Sequence, residues 1–187
     1  MALFEFVKTE FDEVILINDF FYGDNRGAFT KTFERDIYAQ AGIDFHVNET
    51  FFTVSQKNVI RGLHFQIRYP QIKLVSVING AAWDVIVDLR PNSKTYLKSY
   101  TCYLSAENHR SLYVPKGFAH GFASLEDHTV MFYSCEGKYD KETDTGIRFD
   151  DPDINILWPI SEDMAIHSER DLKLPSYKEY LSHPMNI

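Results

Sequence analysis

Short apolar segments cut by turn residues fill the middle of the chain, and a helical period is scarce throughout. That texture leaves few folds open, because side chains alternating with a period of two line opposite faces of a strand. Trp83, Val85, Val87 and Leu89 fall on one face of such a segment, and Asp84, Ile86, Asp88 and Arg90 on the other. Asn79-Gly80, just before it, accepts the positive φ angles of a tight turn and predicts a hairpin between Ser76 to Ile78 and Ala81 to Leu89. Tyr100, Cys102 and Leu104 alternate with Thr101 and Tyr103 in a further strand. Ser111 to Val114 and Thr129 to Cys135 read as buried strands separated by the turn Pro115-Lys116-Gly117. The best helical stretch is Thr32 to Ala41, with Phe33, Ile37, Tyr38 and Ala41 on one face and Gly42 as its stop. Many short strands punctuated by turns predict a sandwich or small barrel, one all-β domain over residues 1–187 with a minor helical part. Past Asp150 the chain turns polar and is broken by prolines, and this tail is expected to pack back on the barrel.

Composition narrows the function. With 187 residues, 44% hydrophobic and 15% aromatic, the chain has ample material for the packed core of one domain. Its 27 acidic and 19 basic residues give a net charge of −8, which argues against nucleic acid as a partner, since phosphate affinity is built from clustered Lys and Arg. No run approaches the ~18 apolar residues of a membrane span. Glu5 interrupts the apolar stretch that a secretion signal needs. Cys102 and Cys135 are too few for a disulfide framework or a thiolate zinc site, so the expected compartment is the cytoplasm.

Three clusters carry residues suited to chemistry. In Arg61-Gly62-Leu63-His64-Phe65-Gln66, strand alternation sets Arg61, Leu63 and Phe65 on one face and Gly62, His64 and Gln66 on the other. Lys73 follows nearby, so His64 and Lys73 form a pair of proton carriers among apolar strands; the plainer alternative is a core histidine and a solvated lysine. In Val114-Pro115-Lys116-Gly117-Phe118-Ala119-His120-Gly121-Phe122, a turn delivers His120 into a strand of aromatic and small residues that a ligand can approach closely. Two histidines fall short of the protein ligands that a catalytic metal site uses, so no metal is expected. In Gly23-Asp24-Asn25-Arg26-Gly27-Ala28-Phe29, a turn presents Arg26, whose guanidinium suits a phosphate or simply solvent.

Taken in order, these segments resemble the dTDP-4-dehydrorhamnose 3,5-epimerase family. Asn58-Val59-Ile60-Arg61-Gly62-Leu63-His64-Phe65-Gln66 is the most specific piece. Asp84 to Arg90, Leu104-Ser105-Ala106-Glu107-Asn108, Gly117-Phe118-Ala119-His120-Gly121-Phe122 and His167-Ser168-Glu169-Arg170-Asp171 follow in family order. The resemblance implies a cupin-type jelly-roll β-barrel or sandwich, with its core at about 45–150 and a few short helices, mainly C-terminal. It implies epimerisation without a cofactor at C3, C5 or both of a nucleotide-linked 4-keto-6-deoxy sugar. It also implies a homodimer that supplies a deoxysugar for a surface polysaccharide such as O-antigen. By this resemblance His64 is the base, Asp171 its partner, Tyr133 the acid on the opposite sugar face, and Lys73 the cation that holds the enolate oxygen. Arg26 and Arg61 would bind the diphosphate, and His120, Gln66, Tyr139, Asp144 and Arg170 would complete the ligand side.

Those residue types fit such a reaction. A carbon beside a ketone loses its proton only if charge developing on the carbonyl oxygen is stabilised, which a lysine in a water-poor site can do. A neutral histidine takes the proton, and a carboxylate fixes its tautomer and stabilises the imidazolium. The chain also departs from the family pattern. Lys31 stands where the family has Glu, and Glu49-Thr50-Phe51-Phe52-Thr53 where it has Gln-x-Asn-x-Ser. Lys141 and Asp144 replace a Pro and a Glu beyond Tyr139. An ammonium only donates and a carboxylate only accepts, so Lys31 and Glu49 suit cytosine, with Phe51 beside them, and predict that a CDP-linked sugar competes with a dTDP-linked one. A single-centre epimerase, a non-catalytic sugar-binding cupin and a metal-dependent cupin enzyme are the alternatives.

Overall fold

The computed structural model describes residues 3–185. Thirteen strands are formed among them. They are β1 (Glu5–Lys8), β2 (Ile15–Asn18), β3 (Phe20–Asp24), β4 (Gly27–Lys31), β5 (Glu49–Ser55), β6 (Ile60–Gln66) and β7 (Ile72–Asn79). Then come β8 (Ala81–Asp88), β9 (Ser99–Ser105), β10 (Arg110–Val114), β11 (Phe118–Ser124), β12 (Thr129–Glu136) and β13 (Asp144–Gly146). A six-stranded sheet has the order β1-β2-β10-β7-β12-β5, and a five-stranded sheet the order β13-β6-β11-β8-β9. The two pack face to face as a cupin-type jelly roll, and β3 and β4 form a separate hairpin. The helices are short: α1 (Arg35–Gln40), α2 (Glu169–Leu172) and α3 (Tyr177–Tyr180).

Alternation decides which side chains meet. Val75 and Val77 from β7, Ala82 and Ile86 from β8, Leu112 from β10, Phe122 from β11 and Met131 from β12 fill the space between the sheets. Val85 and Val87 point the other way, toward the C-terminal segment, where Leu63 and Phe65 meet Ile147, Ile154, Tyr177, Tyr180 and Met185. Each such buried side chain contributes about 1.5–3 kcal/mol of transfer free energy, which fixes the tail, and with it α2, against the sheet.

Asn79-Gly80 is a corner rather than a hairpin. β7 pairs with β10 and β12, whereas β8 pairs with β11 and β9, so the two strands lie in opposite sheets. Gly80 adopts φ 73°, and a Cβ there would sit 2.6 Å from Thr129 Oγ1. The dipeptide reports the positive φ; it does not say which sheet the next strand joins. Here the crossing lets residues of both strands face each other in one core.

The helical expectation for Thr32 to Ala41 shortens to Arg35–Gln40, with extended Glu34 as N-cap. Tyr38 is fully buried and, with Phe45, covers Ile17, Leu74 and Tyr113 on the outer face of the six-stranded sheet. That sheet begins at Glu5, well ahead of the core expected at about 45–150, because β1 and β2 extend it beside β10. Among the described residues, no helix is long and apolar enough to cross a membrane.

Candidate active site

A cavity of about 410 Å3 opens between the two sheets, within the size range of small-molecule sites. The six-stranded sheet lines it with Glu49, Phe51 and Thr53 from β5, Lys73 from β7 and Tyr133 from β12. The five-stranded sheet adds Arg61 and His64 from β6, His120 from β11 and Asp144 from β13. Tyr139 and Arg170 complete the rim.

His64 pairs through Nε2 with Asp171 Oδ1 at 2.7 Å, which leaves Nδ1 as the ring nitrogen not engaged by this carboxylate. Asp171 arrives on α2, whose N-cap Ser168 accepts a hydrogen bond from the Asp171 backbone N–H at 3.0 Å. Its Oδ2 accepts from the Gly62 N–H at 3.3 Å. Burial works to raise the Asp171 pKa, but the hydrogen bond and charge of His64, the Gly62 N–H and Arg170 outweigh it and hold the carboxyl below its usual value. Asp171 is therefore an anion at neutral pH, as an orienting partner for an imidazole must be.

Arg61 lines the same cavity as His64, contrary to the alternation expected for this strand. The ladder explains the change of parity. His120 faces His64 and Phe122 faces Arg61, so three residue steps along β6 match two along β11. Gly62 takes up the irregularity at φ 110°, where a Cβ would come 2.7 Å from Gly121 Cα. A bulge of this kind re-aims the side chains beside it. Arg61 is then held by Ser55 Oγ at 3.0 Å from its Nε.

A second histidine–carboxylate pair lies next to the first. His120 Nε2 and Asp84 Oδ2 are 2.8 Å apart, and both side chains are sealed from solvent. Tyr133 sits beside His120 with its ring edge-on, centroids 5.8 Å apart, and stacks on Phe51 at 4.6 Å. Burial pushes the Tyr133 phenol far above its ordinary pKa, Asp84 adds to this, and Arg61 opposes it, so the phenol keeps its proton at neutral pH. Burial pulls the Lys73 ammonium down from its ordinary value, against the upward pull of Cys135, Asp144, Asp84 and Glu49.

Eleven of the sequence-identified residues thus surround or support the cavity: His64, Asp171, Tyr133, Lys73, Glu49, Phe51, Arg61, His120, Tyr139, Asp144 and Arg170. Three do not. Arg26 lies on the turn between β3 and β4 in an exposed pair with Asp24. Lys31 lies outside the cavity, in a partly exposed pair with Glu34, so within this chain it offers no donor to a base bound there. Gln66 is buried away from the cavity, donating to the carbonyls of Tyr69 and Lys138 and accepting from the Asp140 N–H; it ties two loops together. Asp84, Thr53 and Gln71 were not singled out by sequence. Asp84 carried a signal, a carboxylate on the strand face it shares with Ile86. Gln71 donates to Glu49 Oε1 at 2.9 Å and sets that carboxylate in place.

The family model described as dTDP-4-dehydrorhamnose 3,5-epimerase matches residues 8–179. The dTDP-4-dehydrorhamnose 3,5-epimerase of Methanothermobacter thermautotrophicus is 45% identical over 172 residues, 91% of this chain and 93% of that one. A crystal structure of dTDP-6-deoxy-D-glucose-3,5-epimerase from Legionella pneumophila, in complex with dTDP-4-keto-L-rhamnose, superposes with a TM-score of 0.91 at 35% identity, covering 99% of this chain and 100% of that one. A 3'-monoepimerase from Streptomyces bikiniensis in complex with dTDP-quinovose has a TM-score of 0.85 at 28% identity, covering 93% and 88%. The match of sequence along almost the whole chain, on the same jelly roll, places this protein in the dTDP-4-dehydrorhamnose 3,5-epimerase family.

Proposed function

We propose that this protein inverts C3 and C5 of a dTDP-linked 4-keto-6-deoxyhexose without a cofactor. The observation that carries the reading is the placement of His64, backed by ionised Asp171, on one sheet and of protonated Tyr133 on the other, with Lys73 in the same cavity. His64 removes the proton from the carbon beside the C4 ketone. The electron pair of that C–H bond moves onto the C4 oxygen, where the Lys73 ammonium stabilises the enolate. Tyr133 then returns a proton to the opposite face of the carbon as the ketone re-forms, which leaves a tyrosinate; solvent takes the imidazolium proton and reprotonates the tyrosinate, restoring both groups. Arg61 and Arg170 supply the charge for the diphosphate.

Inversion at one carbon only is the second reading, favoured by the likeness to the Streptomyces bikiniensis 3'-monoepimerase. For the nucleobase, the relatives' dTDP substrates outweigh the cytosine argument once Lys31 is paired with Glu34. The protein acts as a homodimer in the cytoplasm, in the assembly of a surface polysaccharide. Phe52 and Val54, both exposed on edge strand β5, support the dimer, since an unpaired apolar edge calls for cover. A second copy is also the route by which exposed Arg26 reaches a diphosphate. The test is incubation in deuterated water with dTDP- and CDP-4-keto-6-deoxyglucose, followed at C3 and C5 by NMR. Uptake at both carbons of the dTDP sugar is expected. Uptake at C3 alone establishes the second reading, and preference for the CDP sugar restores the cytosine argument.

A further inference from the structure

We infer that Phe51 is a positioning residue for proton return, an inference that rests on the epimerase reading above. Phe51 stands directly across the β5–β12 ladder from Tyr133. Their rings are stacked, with centroids 4.6 Å apart and planes 14° apart. On the other side His120 meets Tyr133 nearly edge-on, at 80°, and His120 is itself fixed by sealed Asp84. The phenol is therefore held between a buried hydrogen-bonded pair on one side and the ring of Phe51, 43% exposed, on the other. Thr53, the next residue of β5 to line the cavity, lies close to the Tyr133 hydroxyl but offers no ring to hold its plane.

This arrangement has a specific consequence for a two-sided reaction. Proton removal depends on His64 and Asp171, which β6 and α2 place without help from Phe51. Proton return to the opposite face depends on the aim of the Tyr133 hydroxyl, because proton transfer needs a donor within hydrogen-bond reach of the carbon. Loss of the Phe51 ring leaves the first step intact and spreads the phenol over orientations that do not deliver. The enolate is then quenched from the His64 side, so the original configuration returns carrying a solvent proton. Stacked aromatic geometry is what holds the ring, and a residue that merely fills space does not reproduce it.

The experiment compares Phe51→Leu and Phe51→Tyr with the wild type in deuterated water, on a dTDP-linked 4-keto-6-deoxy sugar. It measures deuterium uptake, net inversion and KM. Phe51→Leu is expected to keep uptake within ~3-fold while inversion falls ~10-fold, equivalent to about 1.4 kcal/mol. Phe51→Tyr restores the ratio of inversion to uptake. A rise in KM with that ratio unchanged overturns the inference and makes Phe51 a ligand-stacking residue. Uptake and inversion falling together, with a lower melting temperature, overturns it in favour of a structural role. Failure of the underlying reading looks different: the wild type itself then takes up no deuterium, or Tyr133→Phe leaves the ratio unchanged.

Discussion

Asp171 at the active-site cavity and Asp19 on the outer side of the six-stranded sheet are equally buried, each 3% exposed. Their pKa values move in opposite directions. Burial alone would raise both, yet Asp171 is held below the usual carboxylate range by His64, the Gly62 N–H and Arg170. Asp19 has Ser111 Oγ as donor to Oδ2 at 2.7 Å and nothing for Oδ1. Burial pushes it up to about 7, with only Ser111 in opposition. The difference teaches that partners, not depth, decide whether a buried carboxyl is an anion. It also separates a working carboxylate from a stored cost. Asp171 contributes stability above the ordinary carboxylate pKa and loses it as pH falls through its lower folded value. Asp19 holds a proton in the folded chain that the unfolded chain has released, so its contribution is lost as pH rises toward and through about 7.

Removing the main partner of Asp171 gives the largest expected effect. His64→Ala eliminates the proposed base and should reduce deuterium uptake at both sugar carbons by ~10²–10⁴-fold, with dTDP affinity retained in calorimetry. Near-normal uptake would show that His64 is not the base and that its pairing with Asp171 serves structure alone. At the other end, Asp19→Asn keeps the shape and removes the charge. Above pH 8 the variant should be more stable than the wild type by at most about 4 kcal/mol, the ceiling that linkage sets on a rise from 3.8 to about 7. Near pH 4 the two should melt together. An advantage that is the same at both pH values would contradict the assignment.

Tyr133→Phe comes next in size. It removes a donor without opening a cavity, so inversion should fall by ~10–10²-fold while uptake driven by His64 and Asp171 continues. An NMR time course reads both rates from one sample. Equal loss of the two would mean that Tyr133 acts before proton removal and that the two walls of the cavity are not functionally separate.

What the sequence made legible follows the same division between local and assembled features. The alternation of Trp83, Val85 and Val87 against Asp84 and Ile86 is a property of consecutive residues, and the structure keeps it, with the first set toward the C-terminal segment and Ile86 between the sheets. The partnership of Asp171 with His64 spans 107 positions, and only the resemblance of whole motifs pointed to it. Alternation puts Arg61 on the wrong face because the parity change at Gly62 arises from the approach of Gly121 on a neighbouring strand. Asn79-Gly80 was read as a hairpin because positive φ is local, whereas the choice of sheet depends on packing of strands far away in the chain. Gln66 shares its motif with His64, but loops near residues 69 and 138 claim its amide. Nothing beside Asp19 in sequence marks it, because its partner Ser111 is 92 positions away.

The smallest effect is expected where a carboxylate is least buried among these sites. At the rim, the Tyr139 hydroxyl donates to Asp144 Oδ2 at 3.3 Å, and Arg170 donates to the same oxygen at 2.9 Å. Tyr139 is 49% exposed, so water replaces its hydroxyl as soon as it is removed. Asp144 keeps the stronger, charge-assisted bond to Arg170 throughout. A neutral hydrogen bond contributes about 0.5–1.5 kcal/mol net, and a long, solvent-exposed one falls at the bottom of that range. Tyr139→Phe should therefore change KM and kcat by less than ~3-fold and leave the ratio of inversion to deuterium uptake at the wild-type value. The same steady-state and NMR assays used for Tyr133→Phe check it. Should inversion drop by more than ~10-fold, about 1.4 kcal/mol, with uptake retained, the exposed tyrosine would be the proton donor and the buried one its support. The rule that buried partners dominate would then fail within this very cavity.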